Sequence, residues 1–425
     1  MSLLRSVGVA NYRAFVDRAE LELRPLTLVF GQNNSGKSAL VRLLPWLADS
    51  VSPESSGPLD LASRAVRGAP FAEIHTRPPL SSRPEIDVSL AWVVDGSTVQ
   101  FEASIRSFPD LRRDLVKEFQ VVGGPSPDLK GELVEEFERT SKSLPYRLEQ
   151  GEQTGAGRIR FHGLIPKLEQ SPPSSAWGER LDQVGDCLCD FGTSVQWLGS
   201  VRSLPDREVA FWGEEPSLIT PEGLGTVELL VADHLRERKL LPAVSAWLEQ
   251  NLDLRLDIEP RLDRFAVMLS PRAEPKLRIN LLDTGEGITQ VLPILVAIER
   301  ARLGLSRRRL LALEQPELHL HPAAQWALGD YLCEVAAEQK DLALVVETHS
   351  QSLLLSLQLA VMEGRLPPEA VAVYWIRRLS DGRSRAELLP LDKAAHPVGW
   401  PPEVFGERLE QSRRLVLSRR RLGAV

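Results

Sequence analysis

Residues Gly31 to Ser38 read G-Q-N-N-S-G-K-S, the spacing G-x-x-x-x-G-K-[ST] of a phosphate-binding loop. Gly31 and Gly36 let such a loop curl, so that successive N–H groups, through Asn33, Asn34 and Ser35, converge on phosphate oxygens. Lys37 adds a cation near the outer phosphates and is expected to point into solvent when no nucleotide is present. The Ser38 hydroxyl is placed to reach Mg²⁺. An apolar run, Leu26 to Phe30, precedes the loop, and a helix is expected from Ser38 to about Leu47. This strand–loop–helix setting separates a phosphate cradle from an incidental glycine turn.

Three further stretches carry chemistry. "LLALEQPELHLHP", Leu310 to Pro322, is a buried strand that delivers Glu314 to the edge of a sheet, where it would hold Mg²⁺ through water. "VVETHS", Val345 to Ser350, is a second buried strand, and His349 at its end could meet a terminal phosphate or the attacking water. "LLDTGEGITQVLPIL", Leu281 to Leu295, places Gly285 and Gly287 in a tight loop before an apolar helix opened by Thr289 and Gln290. Such a helix start binds anions, and a second one makes sense if it caps the phosphate held by another subunit. His319-x-His321 lacks a third metal ligand at suitable spacing and reads as structural or as a subunit contact. The arginines at Arg307 to Arg309 and at Arg413, Arg414, Arg419, Arg420 and Arg421 could contact nucleic acid, but in a chain of net charge -7 they read as solvated faces.

The elements that must position these residues alternate along the chain. Val7 to Phe30 reads as strands, and Asp49 to Pro84 as an irregular excursion rich in Pro, Ser and Gly. Pro84 to Arg106 reads as two strands joined at Asp95-Gly96. Asp110 to Ser194 mixes charged helical stretches with a possible strand at Arg158 to Leu164, and suggests an insertion on the surface of a sheet. Thr226 to Leu252 is helical, and Leu254 to Asn280 returns to strands. Short apolar runs at Arg309 to Leu313, Leu342 to Glu347 and Val371 to Ile376 alternate with helical patterns at Ala323 to Lys340 and Gln351 to Glu363, the signature of a parallel sheet. No internal repeat and no heptad stretch long enough for a coiled-coil arm is present.

The 425 residues, 43% hydrophobic, suffice for at least one large core. Three cysteines, Cys187, Cys189 and Cys333, make neither a disulfide framework nor a zinc site. The sequence shows no signal peptide and no run of about 18 apolar residues, so a cytoplasmic protein without a membrane span is expected.

The four motifs, in this order, resemble those of the ABC-like P-loop ATPases of the SMC, RecF and OLD (overcoming lysogenization defect) group. "ELHLHP" and "ETHS" look especially like OLD-type and related bacterial AAA-annotated ATPases. The N-[FY]-R-x-F element of such families is seen as Asn11-Tyr12-Arg13-Ala14-Phe15, and similarity extends to "WLGSVRSLPDR" (Trp197 to Arg207) and "GWPPEVF" (Gly399 to Phe405). The resemblance implies an α/β P-loop NTPase fold, an ABC-ATPase-like head with a mixed sheet, an antiparallel N-terminal subdomain and a helical insertion. It divides the chain into an N-terminal ATPase lobe (1–109), an inserted α/β or irregular segment (110–195), a helical and strand segment completing the head (196–280) and a C-terminal lobe (281–425).

It also implies ATP and Mg²⁺ as ligands, with Arg13 among the nucleotide-binding residues, and a homodimer or higher homo-oligomer. In that assembly the P-loop and Glu314 of one subunit face Gly285, Gly287 and Thr289 of the next. Thr289 stands where the family usually has serine. Gln315 stands where the family usually has the glutamate that activates water. An amide orients water but takes no proton, so hydrolysis is expected to be slow or to be assisted by Glu317 or His349. The residues after His349 lack the acidic cluster of a TOPRIM nuclease. The expected role is an ATP-dependent switch in bacterial genome maintenance or anti-phage defence, acting with a separate nuclease or toxin effector. The alternative is a nucleotide-binding scaffold with little turnover that assembles or restrains such an effector. A transporter ATPase is disfavoured by the RecF-like N-terminus.

Overall fold

The computed structural model describes all residues except 1–2, 53–54, 56, 77–83, 135, 139, 171–175, 237–238, 402–403 and 405–425. The arginines from Arg413 onward, and part of the "GWPPEVF" stretch, lie outside the described residues.

The chain opens with β1 (Leu3–Ala10), β2 (Ala19–Glu22) and β3 (Leu26–Gly31), then α1 (Lys37–Val41), α2 (Leu43–Ser50) and the short α3 (Phe71–Ile74). Seven strands follow: β4 (Glu85–Val94), β5 (Ser97–Phe108), β6 (Arg113–Gly123), β7 (Leu129–Leu133), β8 (Leu144–Gln150), β9 (Gln153–His162) and β10 (Ile165–Gln170). Next come α4 (Ala176–Ser194), β11 (Val195–Leu198), β12 (Val209–Ala210), α5 (Thr226–Leu235) and α6 (Leu240–Leu252). Strands β13 (Leu254–Arg261), β14 (Arg264–Pro271) and β15 (Ile279–Asn280) precede α7 (Glu286–Arg302). The chain then alternates through β16 (Leu310–Glu314), α8 (Pro322–Glu338), β17 (Ala343–Glu347), α9 (Gln351–Met362), β18 (Val371–Arg378) and β19 (Ser384–Leu389).

The site is built on a six-stranded sheet ordered β11-β16-β17-β3-β18-β19, parallel except for β19. Every residue of β3 and of β16 is buried, as expected for strands covered on both faces. Alternate side chains enter two different cores. Leu310, Ala312, Val29 and Val345 pack toward α1, α2 and the N-terminal strands. Leu311, Leu313, Leu28 and Val346 pack toward α5 to α9 and the small sheet of β12 to β15.

A nine-stranded antiparallel sheet, ordered β10-β9-β8-β7-β6-β5-β4-β1-β2, covers the first of these faces. The β4–β5 turn sits at Asp95-Gly96, and both residues have positive φ (49° and 80°), the geometry of the tight hairpin that the sequence predicts. Segment 110–195, expected to be an insertion with helical stretches, instead extends this sheet by five strands and ends in the single helix α4. The expected boundary at 109/110 falls in the turn between the paired strands β5 and β6. The charges that suggested a helical surface occupy every second position. In β7, Leu129, Gly131 and Leu133 point inward while Lys130 and Glu132 point out.

Candidate nucleotide site

Strand β3 ends at Gly31, and the phosphate-binding loop leads straight into α1. Gly36 has φ 96°, and a Cβ there would lie 3.0 Å from the Phe15 ring. Phe15 is fully buried, so the Asn11–Phe15 element supports the loop from below. Asn33 and Asn34 are exposed, while Ser35 is fully buried. Arg13 is exposed, with its guanidinium 5.5 Å from the centre of the Tyr12 ring. Lys37 corrects the expectation of a solvent-pointing cation. It is 5% exposed and folds back onto its own loop, donating to Gly31 O at 3.1 Å and Gln32 O at 2.8 Å. Burial holds its pKa below the usual lysine value, and the Glu347 charge offsets part of that shift.

Two carboxylates stand in register at the C-terminal edge of the sheet, Glu314 on β16 and Glu347 on β17. Glu314, 1% exposed, is held by a bidentate Arg42, whose Nε and Nη2 each donate at 2.6 Å. Trp197 Nε1 donates to the same carboxylate at 2.8 Å, and the Arg42 guanidinium lies 5.4 Å from the Trp197 ring centre. Both Glu314 oxygens are thus engaged by protein. Glu347, 4% exposed, accepts the Ser38 hydroxyl at 2.8 Å on Oε1, while Oε2 has no hydrogen-bond partner. Burial first, and the neighbouring Glu314 charge second, push the Glu347 carboxyl up to about 7. A serine hydroxyl beside a buried carboxylate with an unpartnered oxygen is a donor set that suits a hard divalent cation.

The other candidates surround this pair. Gln315 follows Glu314 with φ 44° and donates its backbone N–H to Glu347 O at 2.7 Å. Glu317 is 7% exposed, and its Oε1 accepts from Thr348 Oγ1 at 2.7 Å and from the His349 N–H at 3.0 Å. It therefore ties the turn after β16 to the turn after β17. Burial raises its pKa. His349 is exposed, and its pKa is lowered by partial desolvation and then by the Lys37 charge. His321 caps α8, accepting from the Ala323 N–H at 3.4 Å, and His319 Nδ1 lies 3.5 Å from Glu286. Among the described residues no His, Cys, Asp or Glu group forms a metal cluster. Arg308 and Arg309 donate to the carbonyls of Val195 and Ala301.

The glycine loop after β15 is the start of α7 itself. Gly285 is the N-cap, with no atom within 4 Å of a Cβ built there. Gly287 lies in the first turn, where a Cβ would come within 2.8 Å of His319 O, so its small size serves packing within one chain. Thr289 does not open the helix as expected. It is 3% exposed, and its hydroxyl donates to Glu286 O at 2.9 Å. Gln290 pairs with Arg202, donating to its carbonyl at 2.8 Å. Arg202, 3% exposed, donates in turn to Gly199 O at 3.0 Å and Gln315 O at 3.1 Å. Burial lowers its pKa to about 10, against the opposing charges of Glu317 and Glu314.

Sequence reasoning missed Arg42, Trp197, Arg202 and Glu347 as site residues. Trp197 and Arg202 lie in a stretch singled out only for its resemblance, and Glu347 lies two residues before His349 in a motif read for its histidine. Arg42 gave no signal beyond its place on the helix after the loop.

Residues 192–356 match the family model described as "AAA domain, putative AbiEii toxin, Type IV TA system". The matched segment contains Arg202, the α7 start, Glu314 and His349 but begins well after the phosphate-binding loop, which the fold places beside it. No curated protein matches the chain. The SMC head domain from Thermotoga maritima is similar in structure at 10% identity, with 92% of this chain and 99% of that chain covered and a TM-score of 0.43. The Smc head domain from Pyrococcus furiosus, with an extended coiled coil and bound to the C-terminal domain of ScpA, is 9% identical, with 99% and 100% covered and a TM-score of 0.48. The Smc head domain from Pyrococcus yayanosii, with a coiled coil and joint, is 9% identical, with 93% and 98% covered and a TM-score of 0.47. The six-stranded sheet places the loop Gly31 to Ser38 beside the segment that matches the AAA-domain model. No helix among the described residues is long and apolar enough to cross a membrane.

Proposed function

We propose that this chain binds ATP with Mg²⁺, hydrolyses it slowly, and uses the bound nucleotide to join two copies into a switch. The observation that carries the reading is the meeting of Lys37 and Ser38 with Glu347, Glu314 and Gln315 at one edge of a parallel sheet. The loop Gly31 to Ser38 would cradle the phosphates, with Lys37 exchanging its carbonyl partners for phosphate oxygens. Ser38 and an acid at the sheet edge would hold Mg²⁺, whose chemistry is to neutralise charge on the outer phosphates. Gln315 would orient water without accepting its proton, and Glu317, whose Oε1 holds the His349 N–H while its Oε2 has no partner, or His349 would assist. Gly285 at the open start of α7 would meet the nucleotide of a second copy.

The cell compartment proposed is the cytoplasm, and the role is a switch in genome maintenance or anti-phage defence with a separate nuclease or toxin effector. The second reading, a scaffold with little turnover, is favoured by Gln315 and by a family description that names a toxin of a toxin–antitoxin system. Titration of Lys37→Ala with ATP tests the nucleotide site, and unchanged affinity in the folded variant would remove it. Turnover measured with and without DNA separates the switch from the scaffold.

A further inference from the structure

We infer that Glu347, rather than Glu314, is the acid that completes the divalent-cation site with Ser38, and that Arg42 and Trp197 hold Glu314 out of it. The inference rests on the proposed ATP-binding function and assigns the metal ligands within that site.

Strand order supplies the first argument. β17 lies between β3, which carries the phosphate-binding loop, and β16. Neighbouring strands are about 4.8 Å apart, so Glu347 stands one strand from the loop and Glu314 about twice as far. The hydrogen bonds supply the second. The Glu314 carboxylate takes three donors from Arg42 and Trp197 and has its charge matched by a guanidinium. Glu347 takes the hydroxyl of Ser38, the loop residue that meets the cation in such sites, and leaves Oε2 buried and unpartnered. A buried carboxylate oxygen without a partner is costly, and a divalent cation held between it and the Ser38 oxygen would remove that cost. A purely structural tether from Ser38 to Glu347 would explain Oε1 but not the orphaned Oε2. Glu314 then acts as a positioning residue that fixes α1, α2 and β11 against the end of β16.

The test uses the full chain with Mn²⁺ as probe and a non-hydrolysable ATP analogue, read by electron paramagnetic resonance, with nucleotide affinity measured separately in chelator. Glu347→Gln is expected to weaken Mn²⁺ binding by about tenfold or more while metal-free nucleotide affinity holds. Glu314→Gln is expected to keep Mn²⁺ affinity near that of the wild type and to lower thermal stability. Glu347→Asp draws the carboxylate away from Ser38 and serves as a second variant, with Mn²⁺ affinity expected between those of Gln and wild type. Wild-type Mn²⁺ affinity in both Glu347 variants, or its loss in Glu314→Gln alone, overturns the assignment. Failure of the wild type to bind nucleotide even in chelator counts instead against the ATP-binding reading.

Discussion

Glu314 and Glu347 face each other in register on adjacent parallel strands, and Arg42 grips the first while the second meets the hydroxyl of Ser38. Two acids delivered to the same edge thus have different partners, a guanidinium for one and a hydroxyl for the other. The ion pair of Arg42 with Glu314 is nearly dry, with side-chain exposures of 13% and 1%.

Removing one member of a buried pair leaves an uncompensated charge, so Arg42→Ala should cost about 3–5 kcal/mol of folding stability. Urea denaturation at neutral pH measures this directly. A loss below about 1 kcal/mol, typical of an exposed pair, would mean that Glu314 finds another partner or solvent.

Glu347 makes the nucleotide-free protein sensitive to pH. Its folded pKa, about 7, lies above its ordinary value of 4.5, so the folded state binds the proton more tightly. The contribution to stability is complete below pH 4.5 and is lost as pH rises to 7 and beyond, a swing on the order of 3 kcal/mol. Glu347→Gln should therefore flatten the stability profile between these values and raise the melting temperature at pH 8. Superimposable profiles for the two proteins would show that the carboxyl ionises without penalty.

A bulky residue at Gly287 would strike His319 O within the same chain, which makes it a poor probe of association. Gly285 has open space around it and φ -62°, which any residue adopts. Gly285→Trp should leave the monomer folded and abolish ATP-dependent dimerisation in light scattering. A dimer that forms as well as the wild type's would place the contact elsewhere.

Gln315→Glu should raise steady-state phosphate release by about tenfold, less than full general-base assistance provides. The gain is limited because Glu314 and Glu347 already crowd the edge with carboxylates, and a third raises the pKa of its neighbours. Rates are compared at saturating ATP and equal dimer content. An equal or lower rate in the variant would show that Gln315 does not limit turnover.

Much of the fold was legible from local pattern. The uniformly apolar β3 and β16 could be read because both faces are covered, and the β4–β5 hairpin because Asp95-Gly96 suits its turn. Segment 110–195 resisted reading because its strands are buried on one face only. The charges on the other face, such as Lys130 and Glu132, look alike on a strand and on a helix when the period is short.

The G-x-x-x-x-G-K-S loop and its strand–loop–helix setting were legible from sequence alone, since its glycines, lysine and serine are contiguous and its flanking elements follow from local pattern. The sequence likewise placed Glu314, Gln315 and His349 at strand ends. Which acid stands beside Ser38 was decided by tertiary structure. Strand order is not sequence order, and β17, the last of the three along the chain, lies between β3 and β16. The partners that engage Glu314 come from 272 and 117 positions away, Arg42 and Trp197, and only the packed sheet brings them within hydrogen-bond range. A motif states which atoms a site has available; burial and long-range pairing determine which of them remain free to bind.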